Sequence, residues 1–412
     1  MSTTTMEPKS SGDIEANSSS GIMSEKDPGI GGLPENPSIS SAPVDVVPDG
    51  GLEAWMVVFG AWCTSFCSFG WINSIGVFQD YYEKNTLKQY SPSTTSWIVS
   101  LESFFLMAMT PIIGKLYDNY GTRWLVLGGS FLHVFGLMMA SISTQYYQLL
   151  LSQGICSSIG ASALFLPSFN CVSGYFSHRR ATAFGILATG SSTGANLTIR
   201  SRIPSQPKSF TLTEFIRPFK ELAFTGAAFG NFLFGFGVYI PITYIIVQAT
   251  SDGMGQDLAQ YLIPILNAAS LFDRLSCGIV ADRIGRFNMY TIACYTTALL
   301  ILALWILAKG NAALIIFPIL FGFASGAYAS LGPAVVAQVS PIQDIGIRTG
   351  LFFAVSSVSA LTSGPIAGAI LDSSNGSFLG VKIFAGVLCI GGASLMLGGR
   401  FSKTGFKLMA KF

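Results

Sequence analysis

The chain has 412 residues, half of them hydrophobic and only 11% charged, with a mean hydropathy of +0.54. That is too little charge to cover the surface of a water-soluble protein. The net charge of +2 hides an uneven distribution that matters below. The seven cysteines (63, 67, 156, 171, 277, 294 and 389) lack metal-ligand spacing and mostly fall in apolar runs, where Cys behaves as a small hydrophobe.

Residues 1–48 are rich in Ser, Pro, Gly and acidic side chains and show no apolar period. Such a segment cannot bury enough surface to fold and reads as a disordered tail. It holds no apolar stretch of signal-peptide type, so the first span is expected to act as the insertion signal. Beyond it, apolar runs of about 18 residues or more recur, each long enough to cross about 30 Å of hydrocarbon. They fall at about 53–79, 93–115, 124–143, 147–172, 222–249, 257–280, 288–308, 312–338, 347–370 and 379–399. A further piece at about 181–198 is shorter and rich in Gly, Ser and Thr. Barrel strands would be short and alternate in polarity, and these runs do neither. The fold class expected is an all-α, polytopic membrane protein.

Lys and Arg sort by side. One set of loops holds Lys115, Arg123, Arg179, Arg180, Arg217, Lys220, Arg283, Arg286, Arg348, Arg400, Lys403, Lys407 and Lys411, together with Arg200, Arg202 and Lys208. The opposite set holds only Lys84, Lys88, Lys309 and Lys382. The first set is expected to be cytoplasmic. The boundaries that follow are a cytoplasmic tail over 1–48, a helix bundle over 49–198, a basic cytoplasmic loop over 199–221, a six-helix bundle over 222–400 and a short cytoplasmic tail over 401–412.

Two loops repeat each other. Gly114–Arg123 reads GKLYDNYGTR and Gly278–Asn288 reads GIVADRIGRFN. Each carries Gly (114, 278), Asp four residues on (118, 282), Gly three further (121, 285), then Arg (123, 286). Glycine lets two helices approach closely at their ends. The aspartate can accept hydrogen bonds from helix N-termini or Arg across the gap. The expected result is a latch that opens and closes; one copy alone would read as an ordinary turn.

With these loops the sequence resembles the major facilitator superfamily. It looks more narrowly like the fungal branch of the monocarboxylate porter family. PDGGLEAW (Pro48–Trp55), YFSHRRATAFGILATG (Tyr175–Gly190) and LNAASLFDRLSCGIVADRIGRFN (Leu266–Asn288) carry that likeness. The resemblance implies two six-helix halves, related as parallel repeats and rocking about a midplane site. It also exposes a gap. From Gly285 to the end of the last span is about 114 residues, whereas the equivalent stretch from Gly121 to the basic loop is about 79. The first half is short by about 35 residues, roughly one span and its connection. Five spans before the basic loop would invert the second half, against the Lys/Arg distribution. So 181–198 is expected to enter partway or lie at the cytoplasmic face, and the sixth helix is expected to be absent.

Ionisable residues inside a membrane are costly and therefore functional candidates. Arg274 resembles the family's arginine that faces the cavity and pairs with an anionic substrate, which a guanidinium can hold bidentately; it could equally be a structural partner. Asp273 stands beside it, a candidate proton carrier or counter-ion. Glu102, midway along the second span, is a second proton-coupling candidate, with a helix–helix hydrogen bond as the alternative. Asn73 occupies the place of the lysine that serves proton-linked uptake in animal lactate carriers, and an amide cannot carry the proton. With Tyr239, Tyr244 and Asn267 it completes the candidate substrate-binding set. Isolated His133 reads as packing.

No nucleophile–base pairing, phosphate loop or cofactor fingerprint occurs, so neither an enzyme nor a cofactor is expected. The function implied is a secondary transporter of a small organic anion or secondary metabolite. Its partners are that substrate, protons and the bilayer, without nucleic acid, and the plasma membrane is favoured over the vacuole. The rival reading is a transport-inactive product, truncated or mis-spliced, with at most a binding or sensing role.

Overall fold

The structure, a computed structural model, describes residues 49–65, 68, 71, 78, 81–90, 92–189 and 211–405. Helices make the fold, and no strand occurs among the described residues. We number the principal ones α1 (Leu52–Ser65), α2 (Thr94–Tyr120), α3 (Thr122–Ile142), α4 (Tyr146–Tyr175), α5 (Arg180–Ala188), α6 (Leu222–Ser251), α7 (Gln256–Ile284), α8 (Arg286–Trp305), α9 (Gly310–Val339), α10 (Ile342–Ser373) and α11 (Leu379–Thr404). All but α1 and α5 are long and apolar enough to cross a membrane, nine among the described residues. The missing-helix segment beyond Thr189, up to residue 210, lies outside the described residues, as does Asn73.

The sequence explains how these helices stop and bend. Gly121 and Gly285, the matching glycines of the repeat, adopt φ of 74° and 101°. That left-handed backbone ends α2 and α7 and admits the tight turn into the next helix, a conformation that a side chain would strain. Prolines lie within α4 (Pro167), α6 (Pro241) and α10 (Pro365), where the helix continues because neighbouring helices support the freed backbone. In α9, the α-helical run breaks at Gly326. In α4, the stretch Leu150–Ser157 winds as π-helix.

Small residues let the helices meet. Built at Gly226, a Cβ would sit 2.7 Å from the Cα of Gly399; at Gly230, 2.7 Å from the Gly392 carbonyl; at Gly237, against the Cys389 sulfur. Thus α11 lies against α6 almost backbone to backbone, the close packing that replaces hydrophobic drive in lipid. It also packs on α8. The corresponding helices earlier in the chain, α1 and α3, carry exposed Met56 and Phe59 and exposed Trp124, Phe131 and Met138.

One end of the bundle gathers the basic side chains. Lys115 pairs with Glu214 of the short helix Leu212–Ile216. Arg348 makes two bonds to Glu221, at 2.5 and 3.0 Å. Arg180 is buried and donates to the Phe176, Ser173 and Ala337 carbonyls. Both α5 and α6 start at this end. The nine residues of α5 rise only about 14 Å, roughly half of a 30 Å hydrocarbon core.

Candidate functional site

The two repeated loops make matching bonds to helices distant in sequence. Asp118, near the end of α2, accepts from the backbone amides of Gly346 (3.1 Å) and Ile347 (2.9 Å). These amides belong to the first turn of the α-helical part of α10. Asp282, near the end of α7, accepts from the amides of Ala181 (3.1 Å) and Thr182 (2.9 Å) and from the Thr182 hydroxyl (2.7 Å). Those groups open α5. Each carboxylate therefore caps a helix N-terminus, whose first amides have no partner within the helix and carry partial positive charge.

The glycines explain why the carboxylates can reach. A Cβ on Gly114 would collide with the Gly346 carbonyl oxygen, and one on Gly278 would lie 2.6 Å from the Ala181 carbonyl. Gly185 mirrors this from the other helix, where a Cβ would collide with the Arg274 carbonyl. The repeat is incomplete at its arginines. Arg286 forms an ion pair with Asp282 at 3.5 Å and donates to the Ser177 carbonyl, whereas Arg123 is exposed. Asp49 braces the turn ahead of α5, accepting from the amides of Ser177 (2.5 Å) and His178 (2.7 Å).

Deeper in the bundle the contacts between early and late helices turn aromatic. Phe165 of α4 meets Phe353 of α10 edge to face, with centroids 5.0 Å apart. The Tyr239 hydroxyl of α6 lies 3.6 Å from the Met107 sulfur of α2. Behind it Asn231 donates to Ser356 and accepts from Tyr290, both at 2.5 Å. Asn170 of α4 keeps a buried amide nitrogen without a hydrogen-bond partner.

The charged candidates separate. Arg274 Nη1 donates to the Ala188 carbonyl at 2.6 Å, at the last residue of α5, while its Nε is buried without a hydrogen-bond partner. It thus holds the end of the short helix, the structural alternative to an anion. Asp273 turns elsewhere. It is 1% exposed, accepts from the Cys277 thiol at 2.6 Å and points Oδ2 at the α9 break beside Gly326. No ion pair joins it to Arg274 among the described residues. Glu102 is also 1% exposed and is bonded by Trp71 and Gln153. Tyr244 bonds the Gly364 carbonyl at 2.9 Å and so ties α6 to α10, and Asn267 is half-buried on α7.

Outside the spans, the Arg348 guanidinium holds the Glu221 carboxyl below the usual carboxylate range. Several partners escaped the sequence reading. Thr182 and the Gly346 amide receive or supply bonds through helix ends that a distant loop approaches. Gln153, Phe165 and Phe353 are neutral, so no cost of burial flags them. Glu221, next to the basic loop and ahead of an apolar run, was the one signal available in the sequence.

These features define a class, a helical membrane protein in which two repeat-related loops bond distant helices at one end. The chain belongs to the Major Facilitator Superfamily, which it matches over residues 55–199 and 206–405. Among curated relatives, it is 49% identical over 433 residues to the "MFS transporter asaE" of Aspergillus flavus, covering 97% of this chain and 96% of the relative. It is 45% identical to the "Fujikurins efflux protein" of Gibberella fujikuroi, over 89% of this chain and 86% of that one. Among solved structures, a variant of the E. coli fucose:proton symporter superposes with a TM-score of 0.65 at 14% identity, over 84% of this chain and 97% of that one. The human organic anion transporter MFSD10 gives 0.63 at 15%, over 84% and 100%. At such identities these structures speak for the fold alone.

Proposed function

We propose that the protein is a secondary transporter of the fungal monocarboxylate porter type that moves a secondary metabolite or small organic anion by alternating access. The observation that carries this reading is the pair of latches. Asp118 of α2, bonded to α10, and Asp282 of α7, bonded to α5, bind the early helices to the late ones at the basic, cytoplasmic end, through bonds that separate cleanly if the two sets rock apart. The first half then comprises α1–α5 and the second α6–α11, with the basic loop between them. Tyr239, Tyr244, Asn267, Asn73 and Arg274 are its substrate-facing candidates. Efflux is favoured by the Gibberella relative, which is named as an efflux protein, and the plasma membrane is its natural site. Protons are the coupling ion of this reading, with Glu102 and Asp273 as the carriers.

A second reading has its own support. The helix α5 ends after nine residues, and the alignment with asaE runs over 433 residues, more than the 412 of this chain, so it includes residues of the relative that face gaps here. Absence of the sixth helix is consistent with both, and with a product that reaches the membrane yet carries nothing.

Proteoliposomes holding the full chain decide between them. Counterflow of at least one compound from a panel of fungal metabolites and short carboxylates is expected. No counterflow with any compound, beside an active full-length relative, favours the inactive reading. Arg274→Ala should abolish movement of anionic compounds and Arg274→Lys should restore only part, because the planar fork is lost. Parental rates in the alanine variant at equal incorporation remove Arg274 from the substrate site.

A further inference from the structure

Glu102 is one of four side chains whose hydrogen bonds all run toward it. Trp71 Nε1 donates to its Oε1 at 2.5 Å, Gln153 Nε2 donates to its Oε2 at 3.1 Å, and the Tyr82 hydroxyl donates to Gln153 Oε1 at 2.7 Å. Glu102, Gln153 and Tyr82 are all buried. Beside Tyr82, Leu87, Ile98 and Leu149 close a small apolar cluster apart from the main core. Among the described residues, the titratable groups facing this site are Tyr82 and, across the Trp71 ring at 6.5 Å, His133, which engages Ser157. Among the described residues no Lys or Arg pairs with Glu102.

An ionised carboxylate only accepts, and both neighbours donate, so the arrangement fits the charged form. A buried anion without a cation is costly in a membrane, and a proton relieves that cost. Adding one creates a conflict, because whichever oxygen takes the proton already faces a donor. Trp71 cannot resolve it, since an indole nitrogen only donates. Gln153 can. If its amide turns over, Oε1 accepts from the Glu102 O–H, Nε2 donates to the Tyr82 oxygen, and the Tyr82 O–H swings to another acceptor. The proton comes from water, and no other covalent bond forms or breaks. Gln153 sits within the π-helical stretch Leu150–Ser157 of α4, a winding that often marks functional adjustment.

We infer that Glu102 is an exchangeable proton site whose occupancy is read by the direction of the Glu102–Gln153–Tyr82 hydrogen-bond chain. The inference deepens the transporter reading and rests on it for what the proton drives, but its test needs no substrate. The full chain in liposomes is taken from about pH 9 to about pH 3.5, spanning the ordinary titration range of imidazole and carboxyl groups, and the infrared difference spectrum is recorded. The carbonyl stretch of a buried carboxylic acid should grow on acidification and vanish in Glu102→Gln. The inference is overturned if the native chain shows no such band, or if the band keeps its size in a folded Glu102→Gln. Gln153→Leu gives a second reading that does not depend on the first variant's folding. With its acceptor gone, the band should move to higher frequency, and an unmoved band overturns the amide reversal. A titrating Glu102 in a chain without counterflow would leave the proton site standing while the transporter reading fails.

Discussion

At the scale of residues, the two latch aspartates are tested by the bonds they make. Losing an N-terminal cap costs about 1 kcal/mol, so Asp118→Ala or Asp282→Ala should shift the balance of closed and open basic ends roughly fivefold toward open. Labelling of a cysteine buried at that end should rise accordingly, and turnover should change more than substrate affinity. Unaltered labelling in both variants would reduce the aspartates to ordinary turn residues. Asp118→Asn should fall between, since one side-chain oxygen remains to accept. Glu221 supplies a pH dependence of known sign. Arg348 lowers its carboxyl below the ordinary value of 4.5. Its contribution is therefore complete above that value and is lost as pH falls through the lowered one. Thermal unfolding should show extra acid sensitivity in the native chain relative to Glu221→Gln, in that window alone. Because Glu221 is substantially exposed, the difference should be small and should shrink further in salt.

At the scale of elements, glycine pairs carry the fold's tightest contacts. Gly114→Ala would press a Cβ into the Gly346 peptide, which cannot swing aside as a side chain can. Spin-label distances across the basic end should lengthen between α2 and α10. The control is Gly128→Ala, where nothing lies within 4 Å and alanine should be neutral or stabilising by up to about 1 kcal/mol. No change at Gly114 would mean that the approach is looser than the structure has it. These elements were legible to different degrees. Long apolar runs announced the spans because the bilayer sets a minimum length, and the repeated Gly–Asp–Gly–Arg loops announced where helices must meet. Sequence named Asp118 and Asp282 but not Thr182 or Gly346, because a helix N-terminus offers backbone, which has no signature. Glu102 stood out as an acid in an apolar run, whereas Gln153, which decides what protonation does there, was hidden among ordinary polar residues. Arg274 looked like an anion site, and only the end of α5 shows what else it can hold.

At the scale of the whole molecule, the question is how an uneven number of apolar pieces keeps its sides. Lys115 pairs with Glu214 and Arg348 with Glu221, so the segment leading into α6 is fastened at the end where Asp282 caps α5. If α5 crossed the bilayer, α6 would start at the opposite face and both pairs would break, along with the capping of α10 by Asp118. An α5 that stays on its own side would keep all of them. In the later helices α11 covers α6 and α8, whereas Met56, Phe59, Phe131 and Met138 of α1 and α3 are exposed. Inserting a sixth-helix segment of about 35 residues after Gly194, taken from a full-length relative, should extend α5 across the membrane and add a helix against α1 and α3. We expect higher thermal stability and faster transport than in the chain as it stands. Sidedness should not change. In intact cells a cysteine placed at exposed Thr213 should be shielded from an impermeant thiol reagent in both forms, and should react once the membrane is opened. Ready labelling in the uninserted chain would mean that its α5 does cross, that α6–α11 are inverted, and that the latches described here do not exist in the membrane.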